Sequence, residues 1–393
     1  MKTRSSHPFN QATKILEILQ QHQHEAYFVG GCVRDFLLDH DIKDIDITTS
    51  ATPEQLKSIF RTVIPVGLEH GTVMVRFEHT FYEITTFRGD TSDKNVELNI
   101  THDLERRDFT INAMTMNIHG DITDLFSGKR DLNNEVIRTV NNPINRFLED
   151  PLRILRAIRF VSRLGFTIEQ TTYHEMYNLK HLLETVATER ITSELEFIFQ
   201  GKYVQHALTY IQELKIDKHI PVWKETSSLC SMLPKNLTAF HSLAEVIVLF
   251  HYLDEQIPIS AWINGWKCSN KTKQSAKTLF QALVSYIDKG IDNWLVYTLP
   301  KEERPSFCHL IYVLTNEVID GDITERAQYV PITNRSELAI NGNDLKKIFS
   351  NRSDGSWIRK GMESIEYEIV MGRLSNTKNA IKEWIRCHPP EIN

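Results

Sequence analysis

Strand-like periodicity is confined to the first third of this chain, and helical periodicity takes over from about Asn141 and runs to the end. No other feature constrains the fold as much. Sheet-forming segments gathered at one end must build a mixed α/β domain there, and the remainder must pack as helix on helix. Within residues 26–126, AYFVGG is a β-rich run ending in a glycine pair. CVRDFLL has helical spacing, and DIDITTS alternates as a strand with its acidic residues on one face. ATPEQLKSIF predicts a helix opened by Thr52 as N-cap with Pro53 in the first position. GTVMVRF and FYEITTFR predict an antiparallel pair around Glu78 and His79. PLRILRAIRFVSRLGF, ITSELEFIFQGKYVQHALTYIQEL and TKNAIKEWIRC are the clearest helical stretches.

The helical remainder, some 250 of the 393 residues, is too long for one compact unit. The expected fold class is α+β multidomain: a small mixed-sheet head at 1–137, then an all-helical neck at 138–200, body at 201–300 and tail at 301–393. Cys32, Cys230, Cys268, Cys308 and Cys387 lie far apart with no C-x-x-C pair, so reduced cytoplasmic thiols are expected rather than a disulfide framework or a cysteine zinc site. MKTRSSHPFNQATK is not followed by the apolar core of a signal peptide, and no stretch approaches 18 uninterrupted apolar residues. Neither secretion nor membrane spanning is expected. The net charge of -6 argues against a polyanionic partner only if the 45 Lys and Arg are spread evenly. They are not.

Three constellations carry chemistry. In the first, Gly30-Gly31-Cys32-Val33-Arg34-Asp35 precedes Asp44-Ile45-Asp46. Two glycines between a strand and a helix let backbone N–H groups approach a phosphate closely, and Arg34 adds a full positive charge, so a triphosphate fits there. Residues i and i+2 of a strand share a face, which points Asp44 and Asp46 together as oxygen ligands for hard cations such as Mg²⁺. A D-x-D alone is an ordinary solvated strand face; the upstream glycine pair and arginine turn the reading toward metal. The second constellation, Arg106-Arg107-Asp108-Phe109-Thr110-Ile111-Asn112, offers forked donors for phosphate and acceptors for ribose hydroxyls, although alone it is also a charged helix start. The third is Glu149-Asp150-Pro151-Leu152-Arg153 and the helix that continues from it. There Arg153, Arg156, Arg159 and Arg163 fall on one side, and Ile154, Ala157, Ile158 and Val161 on the other. Asp150 can accept from the exocyclic amine of C or A while Arg153 donates to the adjacent ring nitrogen. G and U present a carbonyl at that place and are repelled.

GGCVRD…DIDI, RRDFTINAM and EDPLRILRAIRF, in this order, resemble the motifs of the bacterial tRNA nucleotidyltransferase and poly(A) polymerase family, that of the CCA-adding enzymes. TERITSEL (188–195) is similar to a further helical motif of the family that braces the neck, and LAINGNDL and DGSWIRKGM resemble the tail of its bacilli-type members. The resemblance implies a template-independent nucleotidyltransferase that extends the tRNA 3′ end and releases pyrophosphate. It implies that Asp44 and Asp46 are catalytic and bind Mg²⁺, with Glu83 the candidate for a third carboxylate if the site has one. Gly31, Arg34 and Arg107 would hold the nucleotide, and Asp150 and Arg153 would select C or A, with Arg156 and Arg159 lining the same pocket. The partners implied are the tRNA 3′ end along body and tail, CTP, and ATP if the terminal A is added; a homodimer is among the open oligomeric options. One departure stands out. Only the 17 residues 89–105 separate Arg88 from Arg106, where full CCA-adding relatives carry a longer flexible loop associated with the switch from C to A. That favours a CC-adding variant, with full CCA addition as the alternative. A poly(A) polymerase is less well matched, because VGLEHGTV (66–73) is of the CCA type. An inactive RNA-binding protein of this fold would have lost one of the carboxylates or the Asp150 and Arg153 pair.

Overall fold

The computed structural model of the protein describes residues 9–67, 71–87, 99–226 and 228–391. The chain forms two compact units, Met1–Ile220 and Pro221–Asn393. The mixed-sheet head and the helical remainder are both present. In the first unit, α1 (Asn10–Gln21) buries Ala12, Ile15, Leu16 and Leu19, a spacing that lays one apolar stripe against the sheet. Seven strands build that sheet: β1 (Ala26–Val29), β2 (Asp46–Thr49), β3 (Val63–Gly67), β4 (Thr72–Phe77), β5 (Thr80–Thr86), β6 (Met114–Met116) and β7 (Ile122–Asp124). Their order is β3-β4-β5-β2-β1-β6-β7, antiparallel throughout except between β2 and β5.

Local sequence accounts for the elements that flank the site. The β4–β5 hairpin turns at Glu78, which takes φ 52°. After β1 comes α2 (Gly31–Leu37), and after β2 comes α3 (Pro53–Ile59), opened by a reciprocal capping box between Thr52 and Gln55 with Pro53 in the first turn. The expected DIDITTS strand is shorter than its alternation suggests. Its ladder with β5 begins at the Asp46 and Glu83 pair, so Asp44 lies in irregular backbone ahead of β2.

The head is completed by α4 (Ile100–Glu105) and α5 (Gly128–Asn133). The first unit continues through α6 (Pro143–Glu149), α7 (Arg153–Leu164), α8 (Gln170–Leu179), α9 (Thr188–Phe199) and α10 (Val204–Leu214). The strand signal does not vanish at Asn141 as expected: Thr167–Ile168 pairs in parallel with Val136–Ile137, a two-residue ladder too short to register as periodicity. Ile154, Leu155, Ala157, Ile158 and Val161 make the buried face of α7, which packs on α9 and α10. Each large aliphatic side chain there contributes about 1.5–3 kcal/mol. The chain between α9 and α10 passes so close to α7 that a Cβ on Gly201 would stand 2.0 Å from Ser162 Oγ, and only glycine fits.

The second unit is helical: α11 (Leu229–Met232), α12 (Leu243–Leu253), α13 (Ile259–Gly265), α14 (Asn270–Lys289), α15 (Asn293–Thr298), α16 (Arg304–Thr315), α17 (Asp320–Arg326), α18 (Gly342–Ile348), α19 (Ser356–Val370) and α20 (Lys378–Cys387). Trp223, Phe250, Trp262 and Trp266 form an aromatic core at one end, and Leu345, Ile365, Ile369, Ile381 and Ile385 lie in a second apolar cluster. Among the described residues, no helix is long and apolar enough to cross a membrane.

Candidate active site

The turn from β1 into α2 sets the site. Gly30 takes φ 74°, where a side chain is strained, and a Cβ on it would meet Arg107 Nη1 at 2.9 Å and Asp46 Oδ2 at 3.9 Å. The strict glycine requirement thus falls on Gly30, one residue before the Gly31 singled out from the sequence. A Cβ on Gly31 would meet only Arg34 Nη2, at 3.7 Å. Arg107 is held against this turn from behind: its Nε and Nη2 donate to the buried Asp103 at 3.3 and 3.0 Å, one helical turn earlier.

Asp46 and Glu83 stand side by side because the parallel pairing of β2 with β5 puts them in register. Burial first, and Glu83 next, push the Asp46 carboxyl up to about 6 against the opposing pull of Arg107, and Asp44 adds to the repulsion. Asp46, with Glu83 and Asp44 close enough to raise its proton affinity, completes an oxygen donor set of the kind that holds a hard divalent cation. The strand face that was to align Asp44 with Asp46 is absent. The two carboxylates nonetheless interact, and together with Glu83 they line one cavity.

A neighbouring cavity of about 380 Å³ has Asp46, Glu83 and Asp108 on its wall together with Asp150 and five guanidinium groups: Arg106, Arg107, Arg153, Arg156 and Arg190. It therefore combines a carboxylate corner with a strongly cationic lining. A larger cavity in the second unit, about 800 Å³, sets Glu317, Asp322 and Glu325 against Arg326, the wrong balance of charge for a triphosphate.

Each arginine of the third constellation is fixed by a partner. Arg153 Nη1 donates to Glu149 at 2.6 Å and to the Arg146 carbonyl, and its Nη2 donates to the Arg106 carbonyl. Its Nε–H faces no partner in that set, which leaves donor capacity for a base. Asp150 does not pair with Arg153: it accepts from Arg190 Nη2 at 2.9 Å and from the Leu152 backbone N–H. Arg156 grips Asp108 through Nε and Nη2 at 2.9 and 2.6 Å. Burial works against the ionised form of Asp108, but Arg156 and Asn112 outweigh it and hold the carboxyl down at about 2.

Two further expectations differ from what is observed. Arg159 is not on the cavity wall; it donates to Glu194 at 3.2 Å and lies over the Phe160 and Phe197 rings, so it braces α7 against α9. Arg34 is 3% exposed, with Nε and Nη2 on Asp35 and Nη1 on Asn112, and so ties α2 to the segment after Arg107 instead of standing free for a phosphate. Arg190, Asp103 and Glu194 gained no site role from the sequence. Their signal was present in spacings of four, Asp103 before Arg107 and Arg190 before Glu194.

The chain matches three family descriptions in succession: "Poly A polymerase head domain" over residues 26–138, "Probable RNA and SrmB- binding site of polymerase A" over 165–226, and "tRNA nucleotidyltransferase domain 2 putative" over 239–385. It is 45% identical to the CCA-adding enzyme of Oceanobacillus iheyensis, an alignment that takes in 99% of this chain and 100% of that one. The CCA-adding enzyme of Staphylococcus saprophyticus is 36% identical, with 96% and 98% covered. Among solved structures, the Bacillus stearothermophilus CCA-adding enzyme in complex with CTP superimposes with a TM-score of 0.88 at 32% identity, covering 98% of each chain.

Proposed function

The chain belongs to the family of CCA-adding tRNA nucleotidyltransferases, and from that premise we propose that it completes the tRNA 3′ end with C, C and A, using CTP and ATP without a nucleic-acid template. The observation that carries this reading is the cationic cavity beside the carboxylates, with Asp150 and Arg153 on its wall. A nucleotide seated there has its phosphates among guanidinium groups and its base within reach of one carboxylate and one guanidinium. Asp150, steadied by Arg190, accepts from the exocyclic amine of C or A, and Arg153, steadied by Glu149 and two carbonyls, donates to the neighbouring ring nitrogen. Because both side chains are held before the base arrives, little ordering has to accompany recognition.

Members of this family use a divalent metal, and the donor set fits one: Asp44, Asp46 and Glu83 would hold Mg²⁺. When bound, the metal lowers the proton affinity of an attacking hydroxyl and neutralises charge on the departing pyrophosphate. Arg107 stays beside Gly30 because Asp103 anchors it, which keeps a positive charge next to the carboxylates as a polyanion enters. The same reading puts the tRNA on the helical second unit and the protein in the cytoplasm, where thiols stay reduced.

The short segment after Arg88 favours CC addition on sequence grounds, but residues 88–98 lie outside the described residues, and 100–105 form α4. The full-length relatives are CCA-adding enzymes, which supports terminal A addition over a CC-adding variant. The test is incorporation of labelled AMP from ATP into tRNA that already ends in CC. The wild type should incorporate it; Asp44→Ala should not, while still shifting the tRNA on a gel. A wild type that leaves CC ends untouched would return the reading to CC addition.

A further inference from the structure

The second unit contains a group of side chains unconnected with nucleotide chemistry. His241 just ahead of α12, Glu245 in its first turn and His309 on α16 bring their ligand atoms within 4.8 Å of one another. We propose that these three side chains form a binding site for a divalent transition metal of the Zn²⁺ type, joining α12 to α16. The donor set of two imidazoles and one carboxylate suits Zn²⁺ rather than Mg²⁺, which prefers oxygen alone.

The geometry supports an ion at their centre. Bonds of about 2.0–2.1 Å in a tetrahedron put neighbouring ligand atoms roughly 3.3–3.4 Å apart. His241 Nδ1 and Glu245 Oε2 are 3.5 Å apart, longer than a good hydrogen bond and close to that edge. His309 Nδ1 contacts the other carboxylate oxygen, Oε1, more closely than that edge, so an ion replaces the proton between them and draws the two atoms apart. The two Nδ1 atoms thus address different oxygens of a single carboxylate, with the rings 5.4 Å apart and inclined at 76°.

The surroundings are those of a built site. Glu245 is fully buried, and its Oε2 accepts from the His241 backbone N–H at 3.0 Å, so the carboxylate cannot swing away. His309 Nε2 lies 2.7 Å from Thr238 Oγ1, the outer-shell partner a ligating imidazole needs for its second nitrogen. A divalent ion held by both imidazoles supplies positive charge beside the buried carboxylate. His241 is half exposed, which provides an access route and leaves a fourth position open to water or an anion. Asp320, whose charge also acts on His241, adds to the negative potential there.

Cobalt separates this site from the carboxylates of the head, because a four-coordinate site with nitrogen ligands absorbs strongly in the visible and an all-oxygen six-coordinate one only weakly. Metal-stripped full-length protein should bind one equivalent of Co²⁺ with an intense visible band that Zn²⁺ abolishes. His241→Gln, at the half-exposed position and so compatible with folding, should weaken binding at least tenfold, and His309→Gln likewise. Lack of the intense band in the wild type would overturn the proposal, as would a band of unchanged affinity in His241→Gln.

Discussion

Replacing Asp46 by Asn should abolish nucleotide addition and yet make the metal-free protein more stable at pH 7.5. In the fold, burial and the adjacent Glu83 raise the Asp46 carboxyl from 3.8 to about 6. Between those two values the folded state holds a proton that the unfolded state has released, so stability falls as pH rises through this window and the loss is complete above about pH 6. A rise of that size corresponds to about 3 kcal/mol at most, and the amide should recover about 1–3 kcal/mol of it. For a unit of this length each kcal/mol moves the midpoint by about 2–4 °C, so Asp46→Asn should melt several degrees above wild type at pH 7.5 in EDTA. Toward pH 4, where the folded wild type carries this carboxyl in its neutral form, the gap should close. Added Mg²⁺ should raise the wild-type midpoint at pH 7.5 and leave Asp46→Asn unmoved. A variant less stable than wild type at pH 7.5 without metal would refute the argument that these carboxylates are held together against their own repulsion for a cation.

The nucleotide cavity and the glycine turn lead to two more expected outcomes. Asp150→Ala removes the acceptor for the exocyclic amine and leaves Arg190 without that partner, so discrimination against UTP and GTP should fall by about 1–3 kcal/mol, roughly 5- to 150-fold in relative kcat/KM; unchanged selectivity in both Asp150→Ala and Arg153→Ala would make α7 merely a charged face. Gly30→Ala forces a side chain into φ 74° and against Arg107, a backbone strain of about 1–2 kcal/mol before the clash is counted, so steady-state kinetics should show at least a tenfold loss in kcat/KM with the fold retained by circular dichroism.

Local signals made the head legible. The glycine pair after AYFV, the Thr52 and Pro53 helix start, and the two strands around Glu78 are each encoded within a few neighbouring residues, and each appears in the structure. So does the split of α7 into an apolar and a basic side. What escaped depends on partners far apart in the chain. Glu83 enters the sequence reading only through the resemblance, because its place beside Asp46 depends on β5 lying parallel to β2, a register that no local pattern carries. Asp108 meets Arg156 across 48 positions, and Asp150 meets Arg190 across 40. Arg34 and Arg159 look like free cations in sequence: Asp35 stands next to Arg34, but nothing local reveals that Asn112, 78 positions on, and Glu194 also hold these arginines.

The proposed activity is the addition of C, C and A to tRNA by this protein's own side chains. It is tested most directly by sequencing the 3′ ends of a tRNA transcript that stops at the discriminator base, after incubation with each nucleotide alone and with CTP and ATP together. CTP alone should give ends in CC, and CTP with ATP should give CCA and nothing longer, with UTP and GTP unused. Ends that remain CC when ATP is present would contradict the account, and so would a run of several A residues.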